Sequence, residues 1–401
     1  EKRDWHGERV LVRVDFNIPS PADIAPEEAL KLTRSLETIA WLQKRGAVVL
    51  VVSHFGRPEG WDVSYSLRPI SDFLQKSMHL GHDFLDGSLE DKKEFAHIEE
   101  CIQSAAPGSV ILLENLRFYK GEEKNLASFS KKFASLATCY VNDAFSASHR
   151  AHASIVGVPV LLPSYAGLSF EREWAELSRV LQNKKRPFIA FFGGKKLSTK
   201  LPAVKAMQSK ADQLFLGGAM ATSVFAAKGL SVGKSYLEEE CVKQAKELLK
   251  SKRLFLPEDV VVSASPEKRV RTRFATPDDI KEHEYIVDIG PRTLKAWAKA
   301  LQGAKVALWN GPFGVVENDL FAEGTDHFAA IFARYSSRSL YGVIGGGDTI
   351  PRVVSQGLEK RVDYLAASGG AMLDFFANKG VLPGIQALRG RRALRKKQRS
   401  S

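Results

Sequence analysis

Short apolar runs alternate with amphipathic stretches along most of the 401-residue chain. In the first half, residues 9–14, 47–52, 110–113 and 139–141 read as strands, and each ends in a polar loop. Between the first two, Leu30, Thr33, Leu36, Ile39, Ala40 and Leu42 recur near a 3.6-residue period, which predicts a helix over 27–45. A second clear helix is predicted over 169–183, bounded by Pro163 and by Lys184-Lys185-Arg186-Pro187. Strand-like runs resume at 188–192, 213–216, 254–256, 306–309 and 340–344, with helical stretches between them. Strands bridged by helices in both halves predict an α/β chain with parallel sheets.

At this length one core is too small, and two domains of roughly 150–200 residues are expected. The division read from the pattern is an N-terminal domain over 1–168, a connector helix over 169–186, a C-terminal domain over 187–369 and a basic tail over 389–401. Cys101, Cys139 and Cys241 are too few and too scattered for a disulfide framework or a metal cluster, which points to a reducing compartment. No apolar run approaches the ~18 residues of a membrane span. The chain opens on Glu1 without Met or a signal-peptide pattern; removal of an upstream segment, with any address it carried, is the expectation. The net charge is +12, but residues 389–401 hold seven basic groups and no acidic one. Two readings of that tail are open: a solvated, disordered terminus, or a weak site for an anionic partner.

Loops at the carboxyl ends of parallel strands converge on one crevice. In the first half these loops carry Asp15, Asn17, His54, Arg57, Arg117 and Arg150. Clustered guanidinium groups pair bidentately with carboxylate and phosphate, so this half suits a small, highly anionic molecule. The second half instead has glycine-rich turns after its strands: Gly193-Gly194, Gly217-Gly218, Asn310-Gly311-Pro312-Phe313-Gly314 and Gly345-Gly346-Gly347-Asp348-Thr349. Glycine lets backbone amides approach phosphate oxygens, and Lys196 and Lys200 add charge. Asp348 suits either a Mg²⁺ bridging phosphates or a helix N-cap. Neither common nucleotide-loop spacing is present. An anion in one half and a nucleoside polyphosphate in the other suggest a phosphotransferase whose substrates meet on domain closure.

The motifs Val-Arg-Val-Asp-Phe-Asn, Ser-His-Phe-Gly-Arg-Pro, Leu-Glu-Asn-Leu-Arg-Phe, Val-Asn-Asp-Ala-Phe, His-Arg-Ala-His-Ala-Ser, Trp-Asn-Gly-Pro-Phe-Gly-Val and Gly-Gly-Gly-Asp-Thr occur in order. From Trp5 to Leu388 the chain resembles the phosphoglycerate kinase family. That resemblance implies two Rossmann-like domains joined by a connector helix and a hinge, with residues 370–388 returning to the first domain. It also implies reversible transfer between 1,3-bisphosphoglycerate and Mg-ADP, giving 3-phosphoglycerate and Mg-ATP, by a cytoplasmic monomer. By resemblance, Asp15, Asn17, His54, Arg57, Arg117 and Arg150 hold the phosphoglycerate. Lys196 follows the transferring phosphoryl group and Lys200 binds the nucleotide phosphates, with Gly193, Gly194 and Gly345 in the same loops. Asn310 contacts phosphate, Glu317 the ribose, and Gly217, Gly218, Pro312 and Gly314 the adenosine. Asp348 carries Mg²⁺, while Gly346, Gly347 and Thr349 cradle phosphate at the reaction centre.

The chain departs from the family pattern near the reaction centre. Lys31 stands where the family has an arginine, with Arg34 one turn on. Losing one charge-assisted hydrogen bond costs about 1.5–3 kcal/mol, roughly ten- to 150-fold in rate. Lys195 replaces a small residue, Thr199 an aspartate, and Ala366-Ala367-Ser368-Gly369-Gly370 the family's Ser-Thr-Gly-Gly-Gly. Ser368 would resist a positive φ where the family has glycine. These changes raise the alternative of a catalytically weakened binding or scaffold protein.

Overall fold

The computed structural model describes residues 3–18, 24, 26–268 and 270–398. The chain divides into two compact units, Glu1–Ala175 with Val381–Ser401, and Glu176–Gly380.

The first unit holds β1 (Arg9–Arg13), β2 (Val48–Val52), β3 (Asp83–Leu85), β4 (Val110–Leu113), β5 (Cys139–Asn142) and β6 (Ser164–Ala166). They form one parallel sheet in the order β3-β4-β2-β1-β5-β6. Successive side chains point to opposite faces. Leu11, Leu50, Ile111 and Tyr140 enter one core with Phe118 and Phe133. Val10, Val12, Val49 and Val51 enter the other with Leu32, Ile39 and Leu42. Burial on both faces explains why these strands read as unbroken apolar runs. The helices are α1 (Pro26–Gln43), α2 (Arg68–Ser77), α3 (Lys92–Ser104), α4 (Lys120–Glu123), α5 (Ala127–Ser135) and α6 (Val158–Leu161).

Helix α7 (Leu168–Leu181) contains the boundary between the units, and ends before the 183 expected from periodicity. The second unit runs through β7 (Phe188–Phe192), β8 (Gln213–Leu216), β9 (Leu254–Phe255), β10 (Val260–Ser263), β11 (Thr272–Ala275), β12 (Tyr285–Ile289), β13 (Val306–Asn310), β14 (Tyr341–Gly345) and β15 (Tyr364–Ala366). Its main sheet is parallel, in the order β15-β14-β13-β7-β8-β9. This is the doubly wound arrangement, with the strand order reversing between β7 and β13. Trp297, Trp309, Phe313 and Phe328 interlock edge to face beneath that point, with Phe191 tilted against Trp297 and Phe328. Helices α8 (Leu197–Lys210), α9 (Gly218–Ala227), α10 (Val242–Leu248), α11 (Pro291–Gly303), α12 (Glu323–Ser336), α13 (Thr349–Ser355) and α14 (Gly370–Ala377) complete the unit.

Three features differ from expectation. A separate antiparallel sheet, β11-β10-β12, lies in the second unit. Helix α14 remains in the second unit, so the return expected over 370–388 starts only at Val381. From there α15 (Pro383–Gln398) carries the basic tail as helix instead of a disordered terminus. Pro at its start and Arg, Lys, Ala, Leu and Gln beyond favour that continuation. Residues 399–401 lie outside the described residues.

Candidate active site

In the first unit, Asp15, His54, Arg117 and Arg150 follow β1, β2, β4 and β5, and their loops interlock. The Asn17 side chain accepts from the Gly56 amide at 2.9 Å. Arg117 donates to the Gly56 carbonyl, and its Nε lies 3.4 Å from Glu123. Asp15 accepts from the Ser146 hydroxyl. Arg57 is exposed and Arg150 partly so, both available to a ligand.

Beneath the loops lies a buried polar chain that motif reading missed. Arg13, on β1, is only 1% exposed. Its Nε donates to Ser154 Oγ at 3.1 Å, and Nη2 approaches His54 Nδ1 at 3.1 Å. Ser154 in turn donates to Glu122 from its amide at 2.8 Å and its hydroxyl at 2.6 Å. A guanidinium can only donate, so His54 Nδ1 accepts and the ring is neutral. Burial, with Arg13, Arg117 and Arg150 nearby, holds His54 well below the ordinary imidazole value. The signal was present: an arginine inside a strand whose neighbours are all apolar requires internal partners.

Burial acts to raise the Asp15 carboxyl, and the charges of Lys31 and Arg13 and the Ser146 hydrogen bond act to lower it. Arg117 is pushed down to about 10 by burial and by Arg150, Arg13 and Arg57. It stays charged among like charges, as expected of a site completed by an anion. Helix α1 brings Lys31 within the field of Asp15, whereas Arg34 pairs with Glu173 of α7 at 3.7 Å.

In the second unit the glycine loops meet at the reversal between β7 and β13. Gly193 and Gly194 amides donate to the carbonyls of Asn310 and Pro312 at 3.0 and 2.7 Å. Gly311 has φ +96°, and a Cβ there would sit 2.2 Å from the Gly193 carbonyl oxygen, so only glycine fits. Lys200 Nζ donates to that same carbonyl at 2.7 Å. Burial brings Lys200 down to about 8, against the pull of Asp348. Asn310 is 1% exposed, and neither its Nδ2 nor its Oδ1 has a hydrogen-bond partner among the described residues. A buried amide in that state is costly unless a ligand completes it.

Asp348 stands at the N-cap of α13 but its side chain makes no capping bond. The carboxylate therefore remains available to a cation. Thr349 Oγ1 accepts from the Gly311 amide at 3.0 Å, tying the last glycine loop to the third. Gly217 and Gly218 open α9, while Gly314 donates to Thr325 at 3.0 Å. Lys196 is the exposed N-cap of α8, and Glu317 and Gly347 are exposed. Gly345 and Gly346 lie beside Asn310, 3.4 Å from its Nδ2 as measured from a Cβ built on each. Among the described residues no group of three His, Cys, Asp or Glu side chains forms a metal centre. One carboxylate plus phosphate oxygens is the donor set that suits Mg²⁺.

Two of the departures, Ser368 and Lys195, are accommodated locally. Ser368 is not among the positive-φ residues, and Gly369 takes φ +52° instead. Lys195 Nζ lies 5.2 Å from the centre of the Tyr236 ring.

Two α/β units, one with an arginine-lined crevice and the other with glycine loops, lysines and a free carboxylate, define a two-substrate phosphotransferase. The family model described as phosphoglycerate kinase matches residues 1–379. The chain is 40% identical over 394 residues to a phosphoglycerate kinase of Thermus thermophilus, covering 96% of this chain and 98% of that one. It is 40% identical over 391 residues to one from Thermosynechococcus vestitus, with 96% of each chain covered. The solved phosphoglycerate kinase of Coxiella burnetii superposes with a TM-score of 0.83 at 34% identity, over 97% of this chain and 98% of that one. The chain belongs to the phosphoglycerate kinase family.

Proposed function

We propose that this chain catalyses reversible phosphoryl transfer between 1,3-bisphosphoglycerate and Mg-ADP, giving 3-phosphoglycerate and Mg-ATP. The observation that carries this reading is the pairing of two incomplete sites. Arg117 lies in the like-charge field of Arg150, Arg13 and Arg57, opposed by Glu123, and Asn310 is buried with no partner among the described residues.

In this reading Asp15, Asn17, His54, Arg57, Arg117 and Arg150 hold the phosphoglycerate. Neutral His54 can donate from Nε2, since its Nδ1 faces Arg13. Lys31 approaches the phosphoryl group from α1. Lys200, Asn310 and the amides at Gly346, Gly347 and Thr349 hold nucleotide phosphates, with Gly193, Gly194 and Gly345 shaping the loops. Gly217, Gly218, Pro312 and Gly314 line the adenosine, and Glu317 meets the ribose. Asp348 would hold Mg²⁺, which neutralises phosphate charge when bound. Lys196 follows the phosphoryl group, whose in-line transfer needs positioned charge and no covalent intermediate. A cytoplasmic location and a monomer accompany the reading; no helix of the described residues is long and apolar enough to cross a membrane. The catalytically weakened alternative rests on Lys31, Lys195 and Ala366–Ser368, and Lys195 and Ser368 are accommodated without strain.

Removing charge from one unit at a time tests these roles. Arg117→Ala should lose affinity for 3-phosphoglycerate and keep that for Mg-ADP, and Lys200→Ala should do the reverse. Equal losses of both ligands in either variant would contradict the assignment.

A further inference from the structure

Lys196 opens α8 without a side-chain cap, and the first turn of α8 has no acidic residue of its own. The amides exposed there need an acceptor. Glu238, forty positions away in sequence, supplies it: Oε2 accepts from the Ser198 amide at 2.9 Å and Oε1 from the Ser198 hydroxyl at 2.7 Å. The carboxyl, despite partial burial, is held below the usual carboxylate range by those bonds and by the Leu197 amide. Two residues earlier in the same segment, the Tyr236 ring receives the ammonium of Lys195. Lys196 is thus bracketed: its predecessor lies on Tyr236 and the turn after it is bound by Glu238.

We propose that Glu238 is a positioning residue for phosphoryl transfer, acting through Ser198 to fix Lys196 at the start of α8. The proposal rests on the reading of Lys196 as the lysine that follows the phosphoryl group. It also accounts for Thr199 in this first turn, where the resemblance implies an aspartate. A carboxylate at a helix start stabilises the turn through the helix dipole. Here that charge comes from a separate segment. The arrangement leaves Lys196 free, because an acid already satisfies the amides that would otherwise compete with it for a phosphate.

The test compares steady-state kinetics of Glu238→Gln, Lys196→Ala and the double variant Glu238→Gln with Thr199→Asp. Glu238→Gln should lower kcat about fivefold, the scale of a lost helix cap expressed at the transition state. The KM for 3-phosphoglycerate should not change. Restoring an acid within α8 in the double variant should recover most of the loss. An unchanged kcat in Glu238→Gln, or a loss that Thr199→Asp leaves in place, would overturn the proposal. Lys196→Ala separates the two levels: if it too leaves kcat intact, the assignment of Lys196 fails; if it alone is crippled, only the role of Glu238 fails.

Discussion

Arg34 Nη1 lies 3.7 Å from Glu173 Oε2, and both side chains are largely buried. This pair ties α1 to α7 and gives Arg34 a structural partner. Lys31, one turn earlier, is the α1 cation whose charge reaches Asp15.

Lys31→Arg should therefore raise kcat, by up to about tenfold, with little change in either KM, because the added fork acts in the transition state. Arg34→Ala should leave Glu173 buried without this partner and lower stability by about 1–3 kcal/mol. Its kcat should stay within about threefold of the parent. Denaturant midpoints and initial rates on the two variants separate these outcomes. A silent Lys31→Arg beside a crippled Arg34→Ala would reverse the assignment.

His54 and His152 stay neutral when folded: burial and the surrounding arginines hold His54 well below the ordinary value and bring His152 down to about 4. Unfolded, both would take up a proton near pH 6.5. Below that pH the unfolded state binds more protons, so their contribution to stability is full above 6.5 and declines as pH falls toward 4. Histidine NMR titration should show His54 still neutral at pH 6.5, with its midpoint well below that of an ordinary imidazole. Replacing it with Gln should flatten stability against pH in this window. A His54 resonance titrating near 6.5 would rule the arrangement out.

Asp348 is the carboxylate left open at a helix start, and its charge reaches Lys200. Asp348→Asn should weaken Mg-ADP binding about tenfold while leaving metal-free ADP nearly unchanged, since only the metal-linked contact is lost. Chelation with EDTA should stop turnover without displacing 3-phosphoglycerate. Equal weakening of ADP with and without Mg²⁺ would remove the metal role from this residue.

Much of this site was legible because its residues lie in short contiguous loops after strands whose apolar runs are unmistakable. Less legible was what supports them. Arg13 sits inside an apolar run and looks like surface charge until the strand proves buried on both faces. The β10–β12 sheet escaped notice because four-residue Val260–Ser263 pairs with a register slip between Val261 and Val262, which breaks the alternation. Glu238 and Ser198 are too far apart for any local pattern to join them. Ser368 was expected to be strained, but strain depends on which residue takes the positive φ, and Gly369 does.

The tail carries seven basic groups in residues 389–401, beyond the segment that the family model matches. Deleting these residues should leave kcat unchanged, because no residue assigned to either site lies there. Retention on heparin that falls steeply with salt in the full chain, and is lost on deletion, would show an anionic partner site. A kcat that falls on deletion would contradict the division of roles.

Formation of ATP from 1,3-bisphosphoglycerate and Mg-ADP by the purified chain, in a coupled assay, tests the central claim most directly. The account predicts steady turnover that requires Mg²⁺ and is lost in Lys200→Ala, with 3-phosphoglycerate binding retained in that variant. Binding of 3-phosphoglycerate by the parent chain without any ATP formation would contradict it, and would leave the chain a binding protein on a kinase scaffold.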